Sequence, residues 1–257
     1  MIMGYLAAIR VLVFHSLREQ WKSRFLQLVI IFAGVMLYAS LLLGAMAVEQ
    51  EGRVLTDFGL ALLELAGLAA VILSSSTTIQ SDMESKTIYL VLCRPVPRSA
   101  YLLGKLSGIL VSVAFAVLCM GFLHASLLTL RGIPIPPYYA QALLFSWVKL
   151  AIIGSLAVAV SLFSTSVLSS VVISSIFWTL GHFLAEARYL LDKSSAVVTI
   201  MSRPLLYAVP NLALYNVKDR MDAAAAHPAW SVLSGYALLY IGACTLFSVA
   251  LFRKKEF

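Results

Sequence analysis

Residues 79–108 read IQSDMESKTIYLVLCRPVPRSAYLLGKLSG, and long apolar runs flank this stretch on both sides. It opens with the acids Asp82 and Glu84 and closes with the bases Arg94, Arg98 and Lys105. An unpaired charge at the centre of a bilayer costs at least ~2.5 kcal/mol. The stretch therefore belongs in water or among headgroups, as a polar bridge between two spans. Ile79, Met83, Thr87, Leu90 and Val91 recur at helical spacing, which predicts an amphipathic helix. The helix should stop before Arg94-Pro95, because a residue preceding proline avoids the helical region. Pro97 stiffens the corner.

Working outward, the composition sets the class. Of 257 residues, 61% are hydrophobic and 12% charged, and the mean hydropathy is +0.93, which excludes an ordinary soluble domain. The expected fold is an all-α polytopic membrane protein in one domain, 1–257. The net charge of +7 points to anionic lipid rather than nucleic acid, because most bases sit beside apolar runs. Cys93, Cys119 and Cys244 lack metal or disulfide spacing.

Six spans are predicted, at 25–48, 58–79, 102–130, 141–163, 167–185 and 232–252, each with about the ~20 residues needed to cross. Residues 1–24 form an amphipathic interfacial helix with Arg10, Arg18 and Lys22 largely off its apolar face. Ala45-Met46-Ala47 resembles a signal-peptide cleavage site, but the preceding apolar run is too long, so no cleavage is expected. Glu49, Glu51, Arg53 and Asp57 mark a short aqueous turn, and residues 80–101 form the bridge. The fourth and fifth spans make a tight hairpin around Ser164-Thr165-Ser166. Residues 186–230 are an outer segment whose apolar pieces, 196–201 and 205–209, are too short to cross and fit re-entrant half-helices. Lysine and arginine number eleven on the side of the bridge and both termini, against seven opposite. That asymmetry makes the bridge and both termini cytoplasmic.

The pattern Asp82-x-Glu84-x-x-Thr87, Leu92-x-Arg94-Pro95-x-x-Arg98, Gly104-Lys105 resembles the signature of type-two ATP-binding-cassette exporter permeases, the type V exporters. Lys86 stands where many members have glycine. Pro210-Asn211-Leu212 with Tyr215-Asn216 is similar to an outer segment of bacterial members. The resemblance implies a bacterial inner-membrane half-transporter that pairs with a second permease copy, as homodimer or heterodimer. It also implies a cytoplasmic ATPase subunit that carries ATP and Mg, with residues 80–101 as the coupling helix. The ATPase contacts implied are Asp82, Glu84, Lys86, Thr87, Arg94, Arg98, Arg18 and Lys22, with Ser164 and Thr165 as a smaller contact. Pro204, Pro210 and Asn211 would form an outer gate.

Two charges lie inside predicted spans, Glu64 and Lys149. Such residues face a bundle interior or a cavity, so they either pair across the second and fourth spans, line an outer cavity, or snorkel separately. Asp82 and Glu84 also have a plainer reading, as acids favoured at a helix start. Arg94, Arg98 and Lys105 have one as headgroup anchors. The serine and threonine runs, 74–78 and 161–175, fit close helix packing more readily than a polar path. No catalytic residue, metal site or cofactor is expected in this chain: no phosphate-binding loop, nucleophile triad or catalytic carboxylate pair is present. Two other functions remain open. One is an ion-coupled carrier or channel using Glu64 and Lys149, and the other is mechanotransmission through residues 186–230 to a periplasmic partner without solute flux.

Overall fold

A computed structural model describes residues 10–11, 13–18, 25–46, 51–84, 97–193, 208–216 and 229–254. The elements are α1 (Phe25–Met46), α2 (Glu51–Glu84), α3 (Arg98–Leu130), α4 (Tyr139–Phe163), α5 (Val167–His182), α6 (Leu184–Asp192), a 3-10 turn η1 (Ala213–Tyr215) and α7 (Trp230–Lys254). There is no strand among the described residues, and residues 10–11 and 13–18 are helical. Among the described residues the fold is all-helical, and its long apolar helices are compatible with a membrane protein. Helices α2, α3, α4 and α7 are long and apolar enough to cross a bilayer, while the apolar stretches Val29–Leu42 of α1 and Val167–His182 of α5 are shorter.

Helix α4 is the axis of the bundle. Every residue from Lys149 to Ala159 is buried, with α2, α3, α5 and α7 packed around it. Small residues make this possible. A Cβ on Gly67 of α2 would stand 2.5 Å from Leu150 Cδ1, and one on Gly154 of α4 would stand 2.6 Å from Val71 Cγ2. In lipid, where apolar transfer gives helices no reason to associate, such close backbone approach is what holds them. The contrast is α7, where Leu238 and Leu239 are exposed and Gly235 and Gly242 have no neighbour within 4 Å.

The end of the bundle that carries Glu84, Arg98 and Lys254 is here the lower end, and the end that carries Glu51 and Leu130 the upper. Three boundaries differ from the sequence reading. Glu51, Arg53 and Asp57 belong to the first turns of α2 and not to a turn. An acid favours a helix start, and Arg131 ties this corner by lying 3.6 Å from Glu51 and donating to the Ser40 carbonyl at 3.1 Å. The polar bridge begins inside α2, which runs unbroken to Glu84; with 34 residues it is about 51 Å long, well beyond the ~30 Å hydrocarbon layer. Finally, α5 stops at His182 because the Gly181 carbonyl accepts from Leu212 N–H at 3.0 Å. That diversion breaks the helical ladder, and α6 begins after Phe183, whose φ −98° and ψ 23° are not helical. At the upper end, α3 closes with Gly132 at φ +73°, while Ile133 N–H donates to Leu128 carbonyl at 2.9 Å. A left-handed glycine at this position is a usual helix terminator.

Candidate functional site

Two buried acid–lysine pairs hold α2. At the lower end, Lys105 Nζ lies 2.9 Å from Asp82 Oδ2, and the Tyr101 hydroxyl donates to the same oxygen. Lys105 and Tyr101 are both buried, and Tyr101 stacks on Phe252 of α7 with centroids 5.7 Å apart. Close by on α3, a Cβ on Gly108 would stand 2.5 Å from Ser16 Cβ, so the amino-terminal helical residues seat there. The ends of α2, α3 and α7 are thus one clamp. Asp82 turns into the protein here, and Lys105, expected among headgroups, is its partner. Glu84 and Arg18 are exposed, and Arg98 opens α3. Lys86, Thr87, Arg94, Lys22 and Pro204 lie outside the described residues, as do 196–201 and most of the piece at 205–209.

The lower hairpin between α4 and α5 is capped by serines. Ser166 Oγ accepts from Ser169 N–H at 3.2 Å, Ser164 Oγ bonds Ser169 Oγ, and Thr165 is exposed. Just inside, Ser170 of α5 and Ser76 of α2 share a hydrogen bond of 2.9 Å.

Twelve residues further up both α2 and α5, about 18 Å of helix, the second pair stands. Lys149 Nζ lies 2.5 Å and 2.6 Å from the two Glu64 oxygens and 3.1 Å from Asn216 Oδ1. His182 Nε2 lies 3.3 Å from Glu64 Oε1, and His182 Nδ1 lies 3.1 Å from the Trp178 carbonyl. The Trp178 carbonyl only accepts hydrogen bonds, so His182 Nδ1 is the donor in that contact. Of the readings left open for Glu64 and Lys149, the geometry is that of a pair across α2 and α4 that also lines a cavity.

That cavity has a volume of about 360 Å³. Its floor is the polar cluster, with Ser146 beside it; its walls are apolar and aromatic, among them Leu60, Leu65, Tyr138, Ala142 and Tyr215. Trp178 also lines it, and its indole Nε1 is buried without a hydrogen-bond partner. A buried donor left unmatched costs about 1–3 kcal/mol. Leu65 is 51% exposed, so the cavity is open along the α2 edge among the described residues.

The wall nearest α7 comes from residues 208–216. Pro210 is buried, and its carbonyl would lie 2.7 Å from a Cβ on Gly181. Asn211 N–H donates to the Tyr236 hydroxyl at 2.8 Å, Tyr215 hydroxyl to Leu233 carbonyl at 2.7 Å and Tyr240 hydroxyl to Ala208 carbonyl at 2.8 Å. Four bonds, with the one from Leu212, therefore moor this segment between the end of α5 and α7, which carries Asn216 to Lys149. Sequence reasoning offered the Glu64–Lys149 pair among its readings and named the Tyr215-Asn216 motif, but it did not bring Asn216 to Lys149, and it gave His182 and Trp178 no role. No sequence signal pointed to His182, because its place opposite Glu64 follows from the packing of α5 on α2.

At the upper end the His124 ring fills the space left by Gly59, where a Cβ would stand 2.2 Å from Nε2, and Nδ1 lies 2.9 Å from the Tyr139 hydroxyl. This knot is packing. Among the described residues no group of three His, Cys, Asp or Glu gathers at metal-binding distance. No protein-family model matches the chain, and no curated protein matches it.

Proposed function

We propose that this chain is the membrane subunit of an ATP-driven exporter in a bacterial inner membrane, with six crossings, both termini cytoplasmic, and hydrolysis of ATP with Mg on a separate ATPase subunit. A second permease copy completes the transporter. The observation that carries the reading is the lower clamp. Helix α2 continues past the apolar layer as a rigid rod whose end is fixed to α3 and α7 by Asp82, Lys105, Tyr101 and Phe252, next to the seat of the amino-terminal helix on Gly108. A segment so tied passes a push at its tip to the bundle, whereas a slack loop would absorb it. Motion of α2 and α4 against α5 would open or shut the cavity, because α2 meets α5 through the Ser76–Ser170 bond and the Glu64–His182 contact.

A photo-crosslinking residue at the exposed position 84, introduced in native membranes, should capture a soluble subunit with a phosphate-cradling loop in a nucleotide-dependent way. Capture of no such subunit, with the probe reactive only from outside sealed cells, would overturn the proposal.

A second reading, an ion-coupled carrier, is favoured by the Glu64–Lys149–His182 cluster, since proton relays in membranes use such groups. It predicts flux in proteoliposomes holding this chain alone, which the first reading does not.

A further inference from the structure

We propose that the cavity between α2, α4, α5 and residues 213–216 binds an uncharged single-chain molecule that ends in a hydroxyl group. That group meets Ser146, and the apolar body lies along Leu60, Ala142 and Tyr215.

Ser146 sets the polar end. Further along the same helix, Ser155 and Ser161 turn back on α4 and donate to the Ile152 and Val158 carbonyls, each at 2.8 Å. Ser146 makes no such bond. It lines the cavity, is only 5% exposed, and its hydroxyl has no hydrogen-bond partner among the described residues. A hydroxyl both donates and accepts, so its natural counterpart is another hydroxyl, which needs no charge.

The charges beside it already have partners within the protein. An ammonium has three N–H donors, and three oxygens surround Lys149 Nζ: Glu64 Oε1 at 2.5 Å, Glu64 Oε2 at 2.6 Å and Asn216 Oδ1 at 3.1 Å. Both ring nitrogens of His182 also face a neighbour, the Trp178 carbonyl and Glu64, whichever protons the ring carries. An ionic head entering here would give up its water for one serine hydroxyl, and a buried charge without a partner is costly.

The walls supply the rest of the choice. Tyr138, Ala142, Ser146 and Lys149 line the cavity from α4, a slot of about 16 Å along the helix. With leucine and aromatic rings opposite, it has the composition of a site for a mostly apolar molecule with a few fixed polar contacts. A volume of about 360 Å³ suits one short chain. Ala61 and Leu65, exposed at the α2 edge, give a molecule dissolved in a bilayer its way in. Binding needs only this chain, so it stands or falls apart from any ATPase.

The test is photolabelling of the full chain in phosphatidylcholine nanodiscs by dodecanol bearing a mid-chain diazirine, with adducts mapped by mass spectrometry. Adducts are expected at Leu60 and Ala142, which at 7% and 8% exposed are shielded from surrounding lipid. Excess dodecanol should suppress them, while dodecanoate and dodecyltrimethylammonium should not. Ser146→Ala should raise the dodecanol needed for half-suppression about fivefold, the loss of one hydrogen bond. Ala61→Phe, at an exposed position, fills the mouth and should abolish labelling at Leu60; it decides the matter should Ser146→Ala unfold. Adducts confined to exposed positions, equal suppression by either ionic chain, unchanged suppression in a folded Ser146→Ala, or undiminished labelling in Ala61→Phe would each overturn the proposal.

Discussion

The two acid–lysine pairs on α2 are nearly the same object in different settings. Both bury the lysine almost completely and leave the acid slightly exposed, at 5% and 17% below against 4% and 16% above. Yet Asp82 is closed in by the Tyr101 ring and the Phe252 stack, whereas Glu64 faces His182, Asn216 and an open cavity. The first arrangement fixes helices; the second also borders a cavity. A buried ion pair is thus silent about its role, and what surrounds it separates a joint from the floor of a cavity.

Breaking each pair sharpens that contrast. Lys149→Met should have the largest effect, about 3–5 kcal/mol of destabilisation, because it strands the Glu64 carboxylate in the interior. Thermal unfolding in detergent would show it, and the exchange Glu64→Lys with Lys149→Glu should recover much of the loss. Asp82→Asn should cost less, about 1–3 kcal/mol, since Lys105 sits at the end of the bundle; under the proposed exporter function, flux should fall further than stability. Gly59→Ala should cost a similar ~1–3 kcal/mol, because its Cβ would collide with the His124 ring. Gly235→Ala on α7 should be the smallest, with nothing within 4 Å to displace.

How far such roles can be read from sequence depends on the separation of the residues that share them. Membrane helices announce themselves, so α3, α4 and α7 start and stop within a few residues of their apolar runs. Charged residues mislead at boundaries: Glu51 and Asp57 suggested a turn, although an acid at a helix start and the Arg131 tie make them compatible with α2. Glu64 and Lys149 stood out because charge in an apolar run is rare. Their partners did not, because Asn216 lies 67 positions from Lys149 and reaches it only through a segment moored by four hydrogen bonds, three of them made by tyrosine hydroxyls. Nor does hydropathy separate α4 from α7, both predominantly apolar; which is core is settled by Gly67 and Gly154 meeting Leu150 and Val71. Tyr101 and Lys105 as the partners of Asp82 follow from the return of α3 beside α2, a fact of topology rather than of spacing.

The central claim is that α2 is a rod driven from its lower tip by an ATP-hydrolysing partner. Spin labels at Glu84→Cys and Leu168→Cys, in a background lacking the three native cysteines, report the distance between the lower ends of α2 and α5 in the reconstituted complex. Trapping the nucleotide-bound state should shift that distance by about 3 Å or more. An identical distance with and without nucleotide, in a complex that hydrolyses ATP, would contradict the account.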